Sequence, residues 1–195
     1  MSKLEHIRSK AIELIAANGF GSMSLRKLAQ QCGMHAGSLY GYYTSKDELL
    51  LDLIASYFED LEQSWLEIAP RFTSSSKRLE GFIAHHIAFQ TARSAESTIA
   101  AMDLRSLPKP ERLQALIPRS RYERILRQIL DDGAREDLFH PDRTTAASTA
   151  ILSMLTGLGI WTDMPPGIGS EALTRVCQQA AVQLAVSWPP QQSAA

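Results

Sequence analysis

Apolar residues recur every three or four positions along almost the whole of this 195-residue chain, and the two-residue alternation of a half-buried strand is nearly absent. A chain patterned this way builds its core by packing helix on helix, so the expected fold is all-α. Leu4, Ile7, Ala11, Leu14 and Ile15 form the first stripe, which Gly19 is placed to end as a C-terminal cap. A second helix is expected from near Ser24 to just before Gly33, and a third over about 36–43. Ser45 and Glu48 then form a capping box. The long fourth helix they open carries Leu50, Leu53, Ile54, Tyr57, Phe58, Leu61, Trp65 and Ile68 at helical spacing, with Pro70 beyond it.

Further along, "TSSSK" at 73–77 reads as a hinge before a helix that turns Leu79, Phe82, Ile83, His86 and Ile87 inward. Prolines and short glycine or aspartate runs then divide helices at about 94–106, 109–132, 142–162 and 170–187. Pro118 predicts a kink or break in the second of these. The division expected is a head over 1–47, with a motif at 24–43, a helical body over 48–188, and a flexible tail over 189–195.

The head is basic and the body acidic. Residues 1–46 hold six lysines and arginines against two glutamates, net +4, which leaves −5 for the rest of a chain of net charge −1. A positive head suits a polyanionic partner. Apolar residues make up 45% and charged residues 21%, as in a soluble globular protein. The N-terminus lacks the apolar core of a signal peptide, and no 18-residue apolar run is present for a membrane span. Cys32 and Cys177 have no metal-site spacing and make no disulfide framework, so a reducing cytoplasmic setting is expected.

Residues 24–43 have the pattern of a helix-turn-helix. Ala29 allows two helices to cross closely, and Gly33 accepts the left-handed turn. Leu25, Leu28, Cys32, Met34, Leu39 and Tyr42 fall where such a unit needs apolar contacts. Ala36, Gly37, Ser38, Tyr40 and Gly41 are poor helix formers but suit a groove of DNA: small residues let the backbone approach, and hydroxyls donate to phosphate. Lys46 adds a cation to a positive helix end, and Ser24 with Arg26 is placed to act from the other side. Ordinary packing of three helices around a glycine turn gives similar spacing.

The stretch "SLRKLAQQCGMHAGSLYGYYTSKDEL" at 24–49 resembles the signature of the TetR family of bacterial transcription regulators. The resemblance lies in Ser24, Leu28–Ala29, Cys32–Gly33–Met34, Gly37–Ser38–Leu39–Tyr40, Tyr42–Tyr43 and Lys46 to Leu49. Cys32 stands where alanine is usual, His35 where serine or threonine often caps, and Tyr43 where phenylalanine is usual. The resemblance implies a homodimer whose two recognition helices enter successive major grooves of a near-palindromic double-stranded operator. It puts Ser24, Arg26, His35, Ala36, Gly37, Ser38, Tyr40, Gly41, Tyr42 and Lys46 on the DNA surface.

For the body, the resemblance implies dimerisation through the last two helices. Ile151, Leu155 and Leu158 on one, and Leu173, Val176, Cys177, Ala180 and Leu184 on the other, are the expected interface; intramolecular packing would use the same stripes. An effector pocket is expected among Phe82, His86, Phe89, Gln90, Met102, Arg105, Leu113, Ile117, Arg121, Tyr122, Leu126 and Trp161, residues that plain core packing would also use. His85 and His86 are adjacent, so they point to different faces and do not share one metal. Seven lysines and arginines crowd 105–127. They fit either a solvated basic face or the anionic head of an amphipathic effector, such as the acyl-CoA thioesters of TetR branches to which this stretch is loosely similar.

Enzyme signatures are missing: there is no H-E-x-x-H, no G-x-S-x-G and no E-x-x-H pair. "GIGSEA" at 167–172 follows "DMPP" rather than a strand. The reading is a ligand-responsive, DNA-binding regulator, a repressor released by its effector, with no cofactor and no membrane partner. A helical interaction protein that keeps the head without specific DNA binding is the alternative.

Overall fold

The computed structural model describes residues 2–160 and 170–186. Among them the regular elements are helical: α1 Lys3–Asn18, α2 Leu25–Gln31, α3 Ala36–Tyr40, α4 Lys46–Ile68, α5 Ser75–Ala92, α6 Ser94–Met102, α7 Lys109–Arg135, α8 Thr144–Ile160 and α9 Ser170–Val186, with short 3-10 turns between some of them. Trp161, the "DMPPGIG" stretch and the tail from 189 lie outside the described residues.

Local chemistry sets most boundaries. Ser2 opens α1 with a reciprocal capping box: its hydroxyl accepts from the Glu5 N–H, and its own N–H donates to the Glu5 carboxylate. Gly19, at φ 75°, closes α1 by donating to the Ile15 carbonyl at 2.7 Å. At α4 the Ser45 hydroxyl accepts from the Glu48 N–H at 3.0 Å, while the Glu48 carboxylate takes the N–H and hydroxyl of Thr44, both at 2.7 Å. Those donors hold the Glu48 carboxyl below its usual range, the Thr44 hydroxyl most of all.

Two expectations need correction. The hinge at 73–77 is shorter, because the Ser74 hydroxyl accepts from the Lys77 N–H and α5 starts at Ser75, whose buried hydroxyl donates to Glu136 at 2.8 Å. Of the kink or break expected at Pro118, the break does not occur: α7 continues through it. Pro118 is itself buried, as are Ala115 before it and Tyr122 after it.

The chain divides into two compact units, one of residues 1–60 with 93–119, the other of 61–92 with the described residues from 120 onward. In the first, Ile7, Ala11 and Ile15 of α1, Leu28 of α2, Leu39 of α3 and Leu49, Leu50 and Ile54 of α4 are all buried. In the second, Trp65 stacks on Phe72 at 5.7 Å and meets Phe82 edge-on at 5.2 Å, while Leu79, Ile83, Leu126, Ile151, Leu155 and Ala181 complete the interior. No helix among the described residues is long and apolar enough to cross a membrane.

Candidate nucleic-acid interface

The helix-turn-helix is assembled by bonds that its sequence prescribes. The Ser24 hydroxyl caps α2 by accepting from Lys27 N–H at 3.3 Å. Buried Ala29 leaves room for the turn, and its carbonyl accepts from Met34 N–H at 2.9 Å. Gly33 sits at φ 64°, where a side chain is disfavoured. His35 stands at the N-cap of α3 without a side-chain bond, so the first turn of this five-residue helix is held by backbone alone.

What anchors α3 is Leu39, fully buried, and then Tyr43. The helix ends at Tyr40, and the next turn brings Tyr42 N–H and Tyr43 N–H back to the Leu39 carbonyl at 2.9 and 3.1 Å. The aromatic expected in the core at 42 is therefore the one at 43: Tyr42 is 39% exposed and Tyr43 3%. A helical period carried past 40 assigns the wrong tyrosine. The Tyr43 hydroxyl donates to the Asp52 carboxylate on α4, and Arg8 on α1 clamps the same carboxylate with two bonds, Nε at 2.8 Å among them. Burial, with the bond to Asp52, pushes the Tyr43 phenol up, and the bond to Asp52 raises the Arg8 guanidinium. Arg8 thus spends its charge inside the head, which a count over residues 1–46 does not register.

The opposite face of α3 is open. Gly37, Ser38, Tyr40, Gly41 and Tyr42 are exposed, as are His35, Ser24 and Arg26; Ala36 and Lys46 are half-buried. Lys46 Nζ lies 4.6 Å from the centre of the Phe20 ring, which fixes the cation at the start of α4. Lys27, which the sequence reading passed over, is also exposed, next to Arg26. A Cβ at Gly37 would touch nothing within 4 Å, so the fold itself does not require glycine there; one at Gly41 would approach the Ser38 carbonyl at 3.3 Å.

The residues expected around an effector fall into both units. Phe82, His86, Phe89, Gln90, Arg121, Tyr122 and Leu126 belong to one, Met102, Arg105, Leu113 and Ile117 to the other, and Trp161 lies outside the described residues. Phe82 stacks on Tyr122 at 4.9 Å, the Tyr122 hydroxyl and His86 Nδ1 are 3.1 Å apart, and Gln90 donates to the Leu155 carbonyl at 3.1 Å. Burial, then the neighbouring His85, lowers His86 to about 4, so the ring is neutral. Arg121 donates to Glu62 at 2.9 Å. Leu113 and Ile117 are corrected from pocket walls to surface, 56% and 59% exposed. They share one face of α7, while Ala115 and Pro118 take the inward one. Met102 is exposed as well.

The interface stripe needs a similar correction. Ile151, Leu155 and Cys177 are buried within the chain and have no surface to offer a partner, because the bulky stripe of each amphipathic helix faces its own core. Leu158, Leu173, Ala180 and Leu184 are half-buried, and Val176 is 61% exposed.

Known proteins share this arrangement. The family described as "Bacterial regulatory proteins, tetR family" matches residues 7–53, and "Tetracyclin repressor-like, C-terminal domain" matches 73–183, more than half of the chain. A Mycobacterium tuberculosis HTH-type transcriptional repressor, KstR2, is 24% identical over 140 residues, 69% of this chain and 70% of its own length. A bacterial regulatory protein of the tetR family from Rhodococcus RHA1 superposes with a TM-score of 0.87 at 21% identity, covering 96% of this chain and 99% of that one. The Bacillus subtilis regulator FadR, solved in complex with stearoyl-CoA, gives 0.82 at 20% identity over 92% and 97%.

Proposed function

The chain belongs to the TetR family of bacterial regulatory proteins, which are DNA-binding transcription regulators rather than enzymes, and from that premise we propose that it is a repressor released by a small-molecule effector. The observation that carries the DNA face is the outward side of α3. Gly37, Ser38, Tyr40 and Tyr42 are exposed there, and at Gly37 glycine meets no need of the fold. Glycine in a helix gives up as much as about 0.5–1 kcal/mol relative to alanine, and at Gly37, the second residue of α3, no contact requires it. Close approach to a partner is the gain that offsets it. Ser38, Tyr40 and Tyr42 hydroxyls and Lys46 then bond phosphates, with Ser24 and Arg26 contributing from the start of α2, while His35, Ala36, Gly37 and Gly41 form the close-approach surface.

Two copies bind a near-palindrome. The face we assign to the second copy is the exposed side of α9, Val176, Gln179, Gln183 and Val186, together with the half-buried Leu173, Ala180 and Leu184 and with Leu158 of α8. The effector class is an amphipathic anion of the acyl-CoA kind. Supporting this are the stearoyl-CoA bound by the B. subtilis relative and the lysines and arginines concentrated at 105–127.

Fluorescence anisotropy with duplexes tiling the DNA upstream of the protein's own gene tests the reading. Saturable binding to one tile, weakened by salt and reversed by a long-chain acyl-CoA, is expected. Tyr40→Phe combined with Lys46→Ala should weaken it markedly. Unchanged affinity in that variant would remove the assigned face, and indifference to acyl-CoA would remove the effector class.

A further inference from the structure

The head also carries a groove of about 530 Å³ that the helix-turn-helix alone does not form. The start of α1 lines it with Ser2, Lys3 and His6, and the turn and α3 line it with, among others, His35, Ser38 and Tyr42. None of its nine lining residues is acidic. The nearest carboxylate in sequence, on Glu5, accepts from Ser2 N–H at 2.6 Å as part of the helix cap. Beside Cys32, Gly33 and Met34 of the turn, the groove is lined by an ammonium group, two imidazoles and three hydroxyls, all able to donate to an anion. His35, Ser38 and Tyr42 belong at the same time to the face assigned to DNA, so the groove continues that face onto α1.

Resting on the operator reading above, we infer that this groove seats the phosphodiester backbone of the operator, with Lys3 and His6 as DNA-binding residues outside the helix-turn-helix. Nothing in the motif points to them, because they lie some twenty residues before it. Lys3 supplies a point charge to a phosphate, and His6 and Ser2 direct hydrogen bonds to its oxygens. The cap bonds of Ser2 and Glu5 keep α1 helical from Lys3 onward, which fixes where the Lys3 side chain starts.

Salt titrations of operator binding separate the outcomes. Each phosphate contact adds about 0.9 to the steepness of log K against log salt, so Lys3→Gln should flatten the slope by ~0.9 per bound protomer. Its melting temperature should match the parent's. Lys10→Gln is the control, since Lys10 is outside the groove and pairs with Glu13 at 2.8 Å; its slope should not change. His6→Glu places a carboxylate in the groove and should weaken binding further than Lys3→Gln. If Lys3→Gln and His6→Glu both bind as the parent does while Lys46→Ala loses slope, the groove holds no phosphate and the operator reading stands. If the parent itself shows no salt-sensitive binding to any tile, the operator reading falls and this inference with it.

Discussion

The outer face of α3 and the cluster around His86 and Tyr122 use polar side chains in opposite ways. On α3 they stand exposed, and Gly37 is spared any internal contact. In the cluster His86 is answered by Tyr122 and Gln90 by a backbone carbonyl. Three glycines make a related contrast. A Cβ at Gly133 would overlap the Phe139 ring, and one at Gly81 the Phe72 ring, whereas one at Gly37 would meet open space. At Gly37 the sequence gives up local stability with no internal return, and the proposed operator face is what would supply one.

The largest effect that sharpens this contrast is on pH dependence. Buried His86 binds its proton near pH 4 in the folded protein against an ordinary 6.5, so the unfolded chain takes up the proton first as pH falls. Its contribution is fully present above about 6.5 and is lost progressively down to about 4, roughly 3 kcal/mol in all at about 1.4 kcal/mol per pH unit. Urea unfolding at a series of pH values reads the loss, and an imidazole titration by NMR identifies the group. A His86 ring that titrates near 6.5 in the folded protein would show that the cluster is wetter than its geometry implies.

Gly133→Ala should destabilise by about 1–3 kcal/mol, the cost of forcing Phe139 aside, and leave operator affinity of the folded protein unchanged. Thermal melting checks the first half and anisotropy the second. Gly37→Ala should do the reverse. Its stability should rise by up to about 1 kcal/mol, while operator affinity falls roughly tenfold, the scale of one lost base contact. Should Gly37→Ala leave affinity intact, the distinction between the two kinds of glycine would fail where it matters most.

How much was legible before folding follows from the range over which each feature is determined. Ser24, Gly19, Gly33 and Ser45 mark their helix ends because caps and left-handed turns are settled by a few neighbouring residues. The family signature was legible for the same reason. The choice between Tyr42 and Tyr43 was not, since it depends on α3 stopping at Tyr40 and on Asp52 waiting on another helix. Nor was the inward facing of Ile151, Leu155 and Cys177, because an apolar stripe reads alike whether its own chain or a second one covers it. Lys3 and His6 gave no local sign at all, since only the folded head brings them beside α3.

Asp52 receives Arg8 from α1 and Tyr43 from the end of the recognition segment, so three stretches of chain are pinned at one carboxylate. Pinned in this way, the head behaves as a single rigid key. The outline of α3 is cut from behind, by a contact on the buried side of the segment that ends it.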